Sequence, residues 1–115
     1  MKVIIAGSRT FNNKEFLYGV LDEFHKDTPI TEVVCGGARG ADELGRCWAD
    51  RNRILVTPFN ADWEKYGKAA GFIRNCEMGE YADFLIAFWD GKSKGTKHMI
   101  DYMKRHGKHG KVIYF

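Results

Sequence analysis

Val33-Val34-Cys35-Gly36-Gly37-Ala38-Arg39-Gly40-Ala41-Asp42 decides the fold. An apolar run stops at two glycines, a third follows, and an amphipathic helical pattern then begins. That order spells a strand, a tight turn and a helix N-terminus. Glycine lets a ligand approach the backbone, and the unpaired N–H groups of a first helical turn attract anions. The stretch taken alone also fits a plain strand-to-helix turn, since glycine-rich turns are common punctuation.

Outward from this junction, apolar runs alternate with helical stripes. Residues 2–6 read as a buried strand, closed by Gly7-Ser8-Arg9-Thr10. Asn12 and Asn13 offer an N-cap to a helix carrying Phe16, Leu17, Val20, Leu21 and Phe24 on one face. Asp27-Thr28-Pro29 breaks it, and a second strand covers roughly 31–35. The second helix runs from about Arg39 to Arg51, with Ala41, Leu44, Gly45 and Trp48 inward. Strand three is Ile54 to Thr57, closed by Pro58. After a polar, aromatic-bearing connection over 60–68, a third helix is expected from about Ala69 to Tyr81, with Phe72, Ile73 and Cys76 on one face. Phe84 to Phe88 form a fourth strand, and Met99, Ile100 and Met103 belong to a fourth helix ended by Gly107 and Gly110. Val112 to Phe115 are the last strand.

Five strands alternating with four helices predict a single α/β Rossmann-like domain of three layers over residues 1–115, with a mainly parallel five-stranded sheet. The expected order is 3-2-1-4-5. Ligands of such sheets sit beyond the carboxyl ends of the strands, where the order reverses. Here that point lies between strands one and four, so the turns 7–10, 36–40 and 89–96 meet at one edge.

Composition sets the class. The chain has 115 residues, 44% of them hydrophobic, enough for one core. No apolar run reaches the ~18 residues of a membrane span, and the N-terminal run is too short for a signal peptide. Cys35, Cys47 and Cys76 are an odd set without paired spacing, which points to thiols in a reducing cytoplasm. A net charge of +3 suits a phosphate-bearing ligand and is too small for a nucleic-acid groove. The basic cluster Lys104, Arg105, Lys108 and Lys111 reads as a solvated face.

Candidate site residues follow from the three turns. Arg9 directly follows strand one, where a guanidinium can fork onto phosphate. Arg39 opposes the dipole of helix two at a cost of about 0.3–1 kcal/mol unless a bound anion, or a carboxylate such as Asp42 or Asp62, offsets it. Arg74 and Asn75 lie within a helix, and a mid-helix Asn conflicts mildly with propensity. Trp63 and Tyr66 can either stack on a base, worth about 1–3 kcal/mol, or cap the core. Asp90, at the end of strand four, can bind a ribose hydroxyl or activate water, and Asp83 flanks that strand. The histidines and cysteines show no metal spacing, so no metal is expected.

The same turns resemble the SLOG superfamily, the Rossmann-like group of the DNA-processing protein A and lonely-guy families, and specifically its small stand-alone YspA/YpsA-like branch. The residues that carry the resemblance are Gly7-Ser8-Arg9, Gly36-Gly37-Ala38-Arg39-Gly40-Ala41-Asp42, Ala61-Asp62-Trp63, Gly67-Lys68-Ala69-Ala70-Gly71, Ile73-Arg74-Asn75, Met78, Ala82-Asp83, Ala87-Phe88 and Gly95-Thr96. The resemblance implies a nucleotide or nucleotide-derived ligand of ADP-ribose or NAD type, no required cofactor, and a homodimer. Lonely-guy enzymes carry a catalytic glutamate after a Gly-Gly-x-Gly-Thr turn and two intervening residues. Here the turn is Gly91-Lys92-Ser93-Lys94-Gly95-Thr96 and the glutamate position is Met99, which cannot move a proton. The expectation is therefore a sensing or sequestering module. The alternative is a nucleotide hydrolase using Asp90 or Asp62 as base.

Overall fold

The computed structural model describes residues 1–115. Its five strands are β1 (Lys2–Gly7), β2 (Glu32–Cys35), β3 (Leu55–Pro58), β4 (Phe84–Trp89) and β5 (His109–Tyr114). The helices are α1 (Lys14–Asp27), α2 (Ala41–Arg51), α3 (Trp63–Tyr66), α4 (Ala70–Tyr81) and α5 (Lys94–Arg105). All strands run parallel in the order β3-β2-β1-β4-β5, with Ile4 paired to Val34 on one side and Leu85 on the other. The expected Rossmann-like α/β architecture and strand order are therefore present. No helix is long and apolar enough to cross a membrane.

Alternation along the strands feeds two cores, because successive side chains leave a strand on opposite faces. Val3, Ile5, Val33, Ile86 and Phe88 pack with Leu17 and Leu21 of α1 and Trp48 of α2. Ile4, Ala6, Val34, Leu85 and Ala87 pack with Met78 of α4 and Met99, Ile100 and Met103 of α5. The helices thus change face after β3, and the chain reverses its march across the sheet between β1 and β4. Gly45 lets α2 lie close to the sheet, since a Cβ there would press into Ile5. Trp48 is fully buried, and its indole N–H donates to Asp22 at 2.8 Å, so the one polar atom of that ring is satisfied.

Several local readings shift. The connection after β3 contains a short helix, α3, and one 3-10 turn over Gly67–Ala69. Four residues carry too little periodicity to announce a helix. β5 starts at His109 rather than Val112, so Gly110 lies within a strand, paired beside Leu85. α4 does not bury the face expected of it. Its buried residues are Ala70, Asn75, Met78 and Gly79, while Phe72 is 47% exposed. Gly79 explains the inversion, because Tyr102 of α5 packs where its side chain would be. Lys108 is not simply solvated. Its ammonium donates to the carbonyls of Gly79 (2.6 Å), Glu80 (2.9 Å) and Ala82 (2.7 Å), closing the C-terminus of α4. Asp83 flanks β4 as expected, accepting from the Lys2 amide at 2.9 Å.

Candidate functional site

The carboxyl ends of β1, β2 and β4 open into a cleft with two lobes. The deep lobe, about 370 Å³, has Ala6, Met78 and Met99 among its lining residues, with Ser8, Asp42, Asn75, Asp90, Ser93 and Thr96 as polar groups. The outer lobe, about 410 Å³, lies between the glycine turn and the start of α4, and includes Asn60, Trp63, Lys68 and Phe72. Arg9, Ala38, Arg74, Asn75 and Gly95 line both lobes and form their junction.

The glycine turn is shaped by conformation and by contact. Gly37 and Gly40 have φ of +76° and +77°, in the left-handed region that side chains disfavour. At Gly40 a Cβ would also strike the carbonyl of Ser8 and the backbone of Arg9. β1 and the turn after β2 can therefore meet only if this residue is glycine. Gly7 is comparably tight against Phe88 and Ala41.

Gly36 is engaged on both sides. Its amide donates to Asp42 Oδ2 at 3.2 Å, and its carbonyl accepts from Arg74 Nη1 at 2.7 Å. Asp42 is only 6% exposed. Burial pushes its carboxyl up to about 6, opposed by the amides of Gly36, Ala38 and Gly7 and by the Arg74 charge. The second residue of α2 thus places its own carboxylate on the turn that leads into the helix. The Gly37 amide faces the Cys35 thiol, and no hydrogen bond within the chain engages the amides of Arg39 and Gly40.

Arg9 is exposed at the junction and makes no hydrogen bond or ion pair within the chain. Arg74 Nε is buried without a partner, and its Nη2 has none either. Asn75 is buried and ties α4 to α5. Its amide nitrogen lies 3.1 Å from the Gly95 carbonyl and 3.2 Å from His98 Nδ1. An amide nitrogen only donates, so Nδ1 is the acceptor. The His98 imidazole is held below its ordinary range first by burial and then by Arg105, which agrees with a neutral ring. The mid-helix Asn therefore has a structural partner set at the lip of the cleft.

The turn after β4 is built from side chains. Asp90 Oδ1 accepts from the amides of Lys92 and Ser93, both at 2.8 Å, and these bonds hold its carboxyl below the usual range. Ser8 Oγ accepts from the Asp90 amide at 3.2 Å, joining the β1 and β4 ends. Ser93 caps α5, and its hydroxyl lies 3.2 Å from that of buried Thr96.

Three expected residues stand outside the cleft. Asp62 caps α3, accepting from the Lys65 amide at 3.1 Å. Arg39 is exposed and borders a smaller cavity of about 230 Å³ with Cys35, Glu43 and Arg46. The chain's ion pairs are Arg46–Asp50 and Lys97–Asp101, so neither Asp42 nor Asp62 neutralises Arg39. Gly40 serves the cleft through the turn rather than as lining. Ser93, Asn60 and Phe72 are lining residues that sequence reasoning missed. Ser93 had a legible signal, a serine just before an amphipathic helix. Trp63, at 57% exposed, does border the outer lobe and lies over Gly71.

A doubly wound parallel sheet with a polar cleft at its switch point defines a Rossmann-like domain with the usual ligand position of that class. The family model described as "YAcAr: YspA, cpYpsA-related SLOG family" matches residues 1–66. The "Gene 61 protein" of Mycobacterium phage D29 is 41% identical over 113 residues, covering 92% of this chain and 90% of its own. The chain belongs to the YspA/cpYpsA-related SLOG family. No solved structure matches it. The family match spans Arg9, the glycine turn and Trp63, and ends before Arg74, Asn75 and Thr96.

Proposed function

We propose that the protein binds a nucleotide or nucleotide-derived molecule of ADP-ribose or NAD type, as a sensing or sequestering module. The observation that carries this reading is the junction of the two lobes. An unpaired Arg9 and an unpaired Arg74 Nη2 flank the glycine turn. Guanidinium groups facing an open cleft beside a glycine turn are what a phosphate needs. Aromatic rings at Trp63 and Phe72 add a surface on which a base can stack.

Binding is favoured over hydrolysis by the side chains available. Met99, at the glutamate position of the lonely-guy enzymes, is buried among the residues lining the deep lobe. Asp62 is a helix cap, and Asp90 has one oxygen held by two amides. Asp42, the other carboxyl of the deep lobe, is taken by amides of the glycine turn.

The test is calorimetric titration with ADP-ribose, NAD, AMP and ATP, followed by chromatography of the recovered ligand. At least one binds and is recovered unchanged. Gly37→Val abolishes binding while thermal melts report a folded domain, and Lys104→Ala has no effect. Multiple-turnover release of adenine from AMP would replace this reading with the hydrolase.

A further inference from the structure

The two lobes differ in charge. The deep lobe has two carboxylates, Asp42 and Asp90, and no lysine. Its remaining polar lining is the two arginines that it shares with the outer lobe, Arg9 and Arg74, the hydroxyls of Ser8, Thr10, Ser93 and Thr96, and the amide of Asn75. The outer lobe has Lys68, two aromatic rings and no carboxylate. Both arginines stand at the junction.

Asp42 also changes what the glycine turn can offer. Its carboxylate already takes the Gly36 amide, from an almost fully buried position. An anion entering the deep lobe would face this carboxylate, and like charges in a partly buried cleft repel. Hydroxyl groups suit the same surroundings, because they can donate to a carboxylate and accept from an amide or another hydroxyl.

We infer that the cleft binds its ligand in one direction: the deep lobe takes an uncharged, hydroxyl-rich group such as a sugar, and the phosphates stop at the Arg9–Arg74 junction. Asp42 is then a specificity-determining residue that excludes a terminal phosphate. This inference rests on the nucleotide-binding reading above and names which end of the ligand goes where. It predicts that a ligand with a sugar beyond its phosphates is preferred to one that ends in phosphate.

ADP-ribose and ATP make the comparison, since both carry an ADP unit followed by ribose in one and phosphate in the other. Titrated at pH ~7.5, where a carboxyl titrating near 6 is ionised, the parent protein binds ADP-ribose at least about tenfold more tightly than ATP. Asp42→Asn, which keeps size and shape, narrows that ratio by strengthening ATP. Asp90→Asn narrows it in the same direction and guards against a folding defect at the buried site; melts accompany both. ATP binding as tightly as ADP-ribose overturns the inference and leaves the nucleotide-binding reading standing, as does a ratio unchanged in both variants. Failure of the parent to bind either probe overturns this inference, and the nucleotide-binding reading falls with it only if NAD and AMP fail to bind as well.

Discussion

The turns after β2 and β4 both carry a buried strand into a helix, and they dispose of their backbone amides differently. After β4, Asp90 collects the amides of Lys92 and Ser93, and Ser93 caps α5. That turn is closed by its own side chains. After β2, glycine replaces the capping side chain. Gly40 is the N-cap of α2 and has nothing to cap with. Asp42 reaches back to Gly36, while Arg39 and Gly40 keep free amides. Two neighbouring turns of one sheet thus differ: one is closed by its own side chains, and the other leaves two amides unpaired.

Glycine substitutions test this difference with the largest effect. Gly40→Ala meets both a strained φ, about 1–3 kcal/mol, and a collision with the Ser8 carbonyl, about 1–3 kcal/mol of overpacking. The expected loss of stability is roughly 2–6 kcal/mol. Gly91 has φ +81° with nothing within 4 Å of an added Cβ. Gly91→Ala should therefore cost only the backbone term, about 1–2 kcal/mol. Urea denaturation of both variants decides it. Equal losses would mean that the close approach of β1 to the β2 turn contributes nothing.

Asp42 comes next, and its sign follows from burial. Its folded pKa is raised from 3.8 to about 6. Between those values the native protein holds more protons than the unfolded chain, so this group's contribution to stability falls as pH rises and levels off above about 6. The full span is worth roughly 3 kcal/mol. Arg74 from α4 and the Cys35 thiol from β2 feel the same charge, and Arg39, Glu43 and Arg46 share a cavity with it. Asp42→Asn removes the titration. The difference in unfolding free energy, variant minus parent, should grow from about pH 4 to about pH 6 and then stay flat. A difference independent of pH would show that Asp42 is already solvated.

How much of this was legible beforehand depends on the range of each contact. Strand order and the meeting of three turns followed from unbroken apolar runs and their alternation with helices, which are local patterns. Arg9 and the glycine turn were legible because the fold class fixes where strand ends go. Asp42 was not, because its role is set by burial against Gly36 and Arg74, contacts no spacing encodes. Phe72 was misread for the same reason. An aromatic in a helical stripe reads as core, yet Gly79 makes the real contact with α5 and leaves Phe72 at the cleft. Asp62 reads in the sequence as a partner for Arg39 or as a base, yet its place before a four-residue helix makes it a cap.

Arg9 separates donors that serve a ligand from donors that serve the fold. It has no partner within the chain, so Arg9→Ala should leave the melting temperature unchanged. It should weaken binding of the tightest nucleotide probe by about 1.5–3 kcal/mol, the worth of a charged hydrogen bond. Calorimetry and melts on one preparation check both. A destabilised variant with unaltered affinity would move Arg9 from the site to the scaffold.

Ser93→Ala carries the smallest expected effect and sharpens the contrast from the other side. Replacing an N-cap serine by alanine costs about 0.5–2 kcal/mol in general. Here the bond from the Thr96 amide to Ser93 Oγ is long, 3.5 Å, so its share of the cap is small. The Ser93 backbone amide is held by Asp90 at 2.8 Å, and alanine keeps that amide. The hydroxyl's other contact is with the hydroxyl of Thr96, which can turn to another acceptor. The loss should therefore lie at the bottom of the range, about 0.5 kcal/mol, in a denaturation series against the parent. A loss at the top of that range would place the strength of the β4 turn in Ser93 rather than Asp90, and the two turns would then differ in which residue caps rather than in whether the turn is closed.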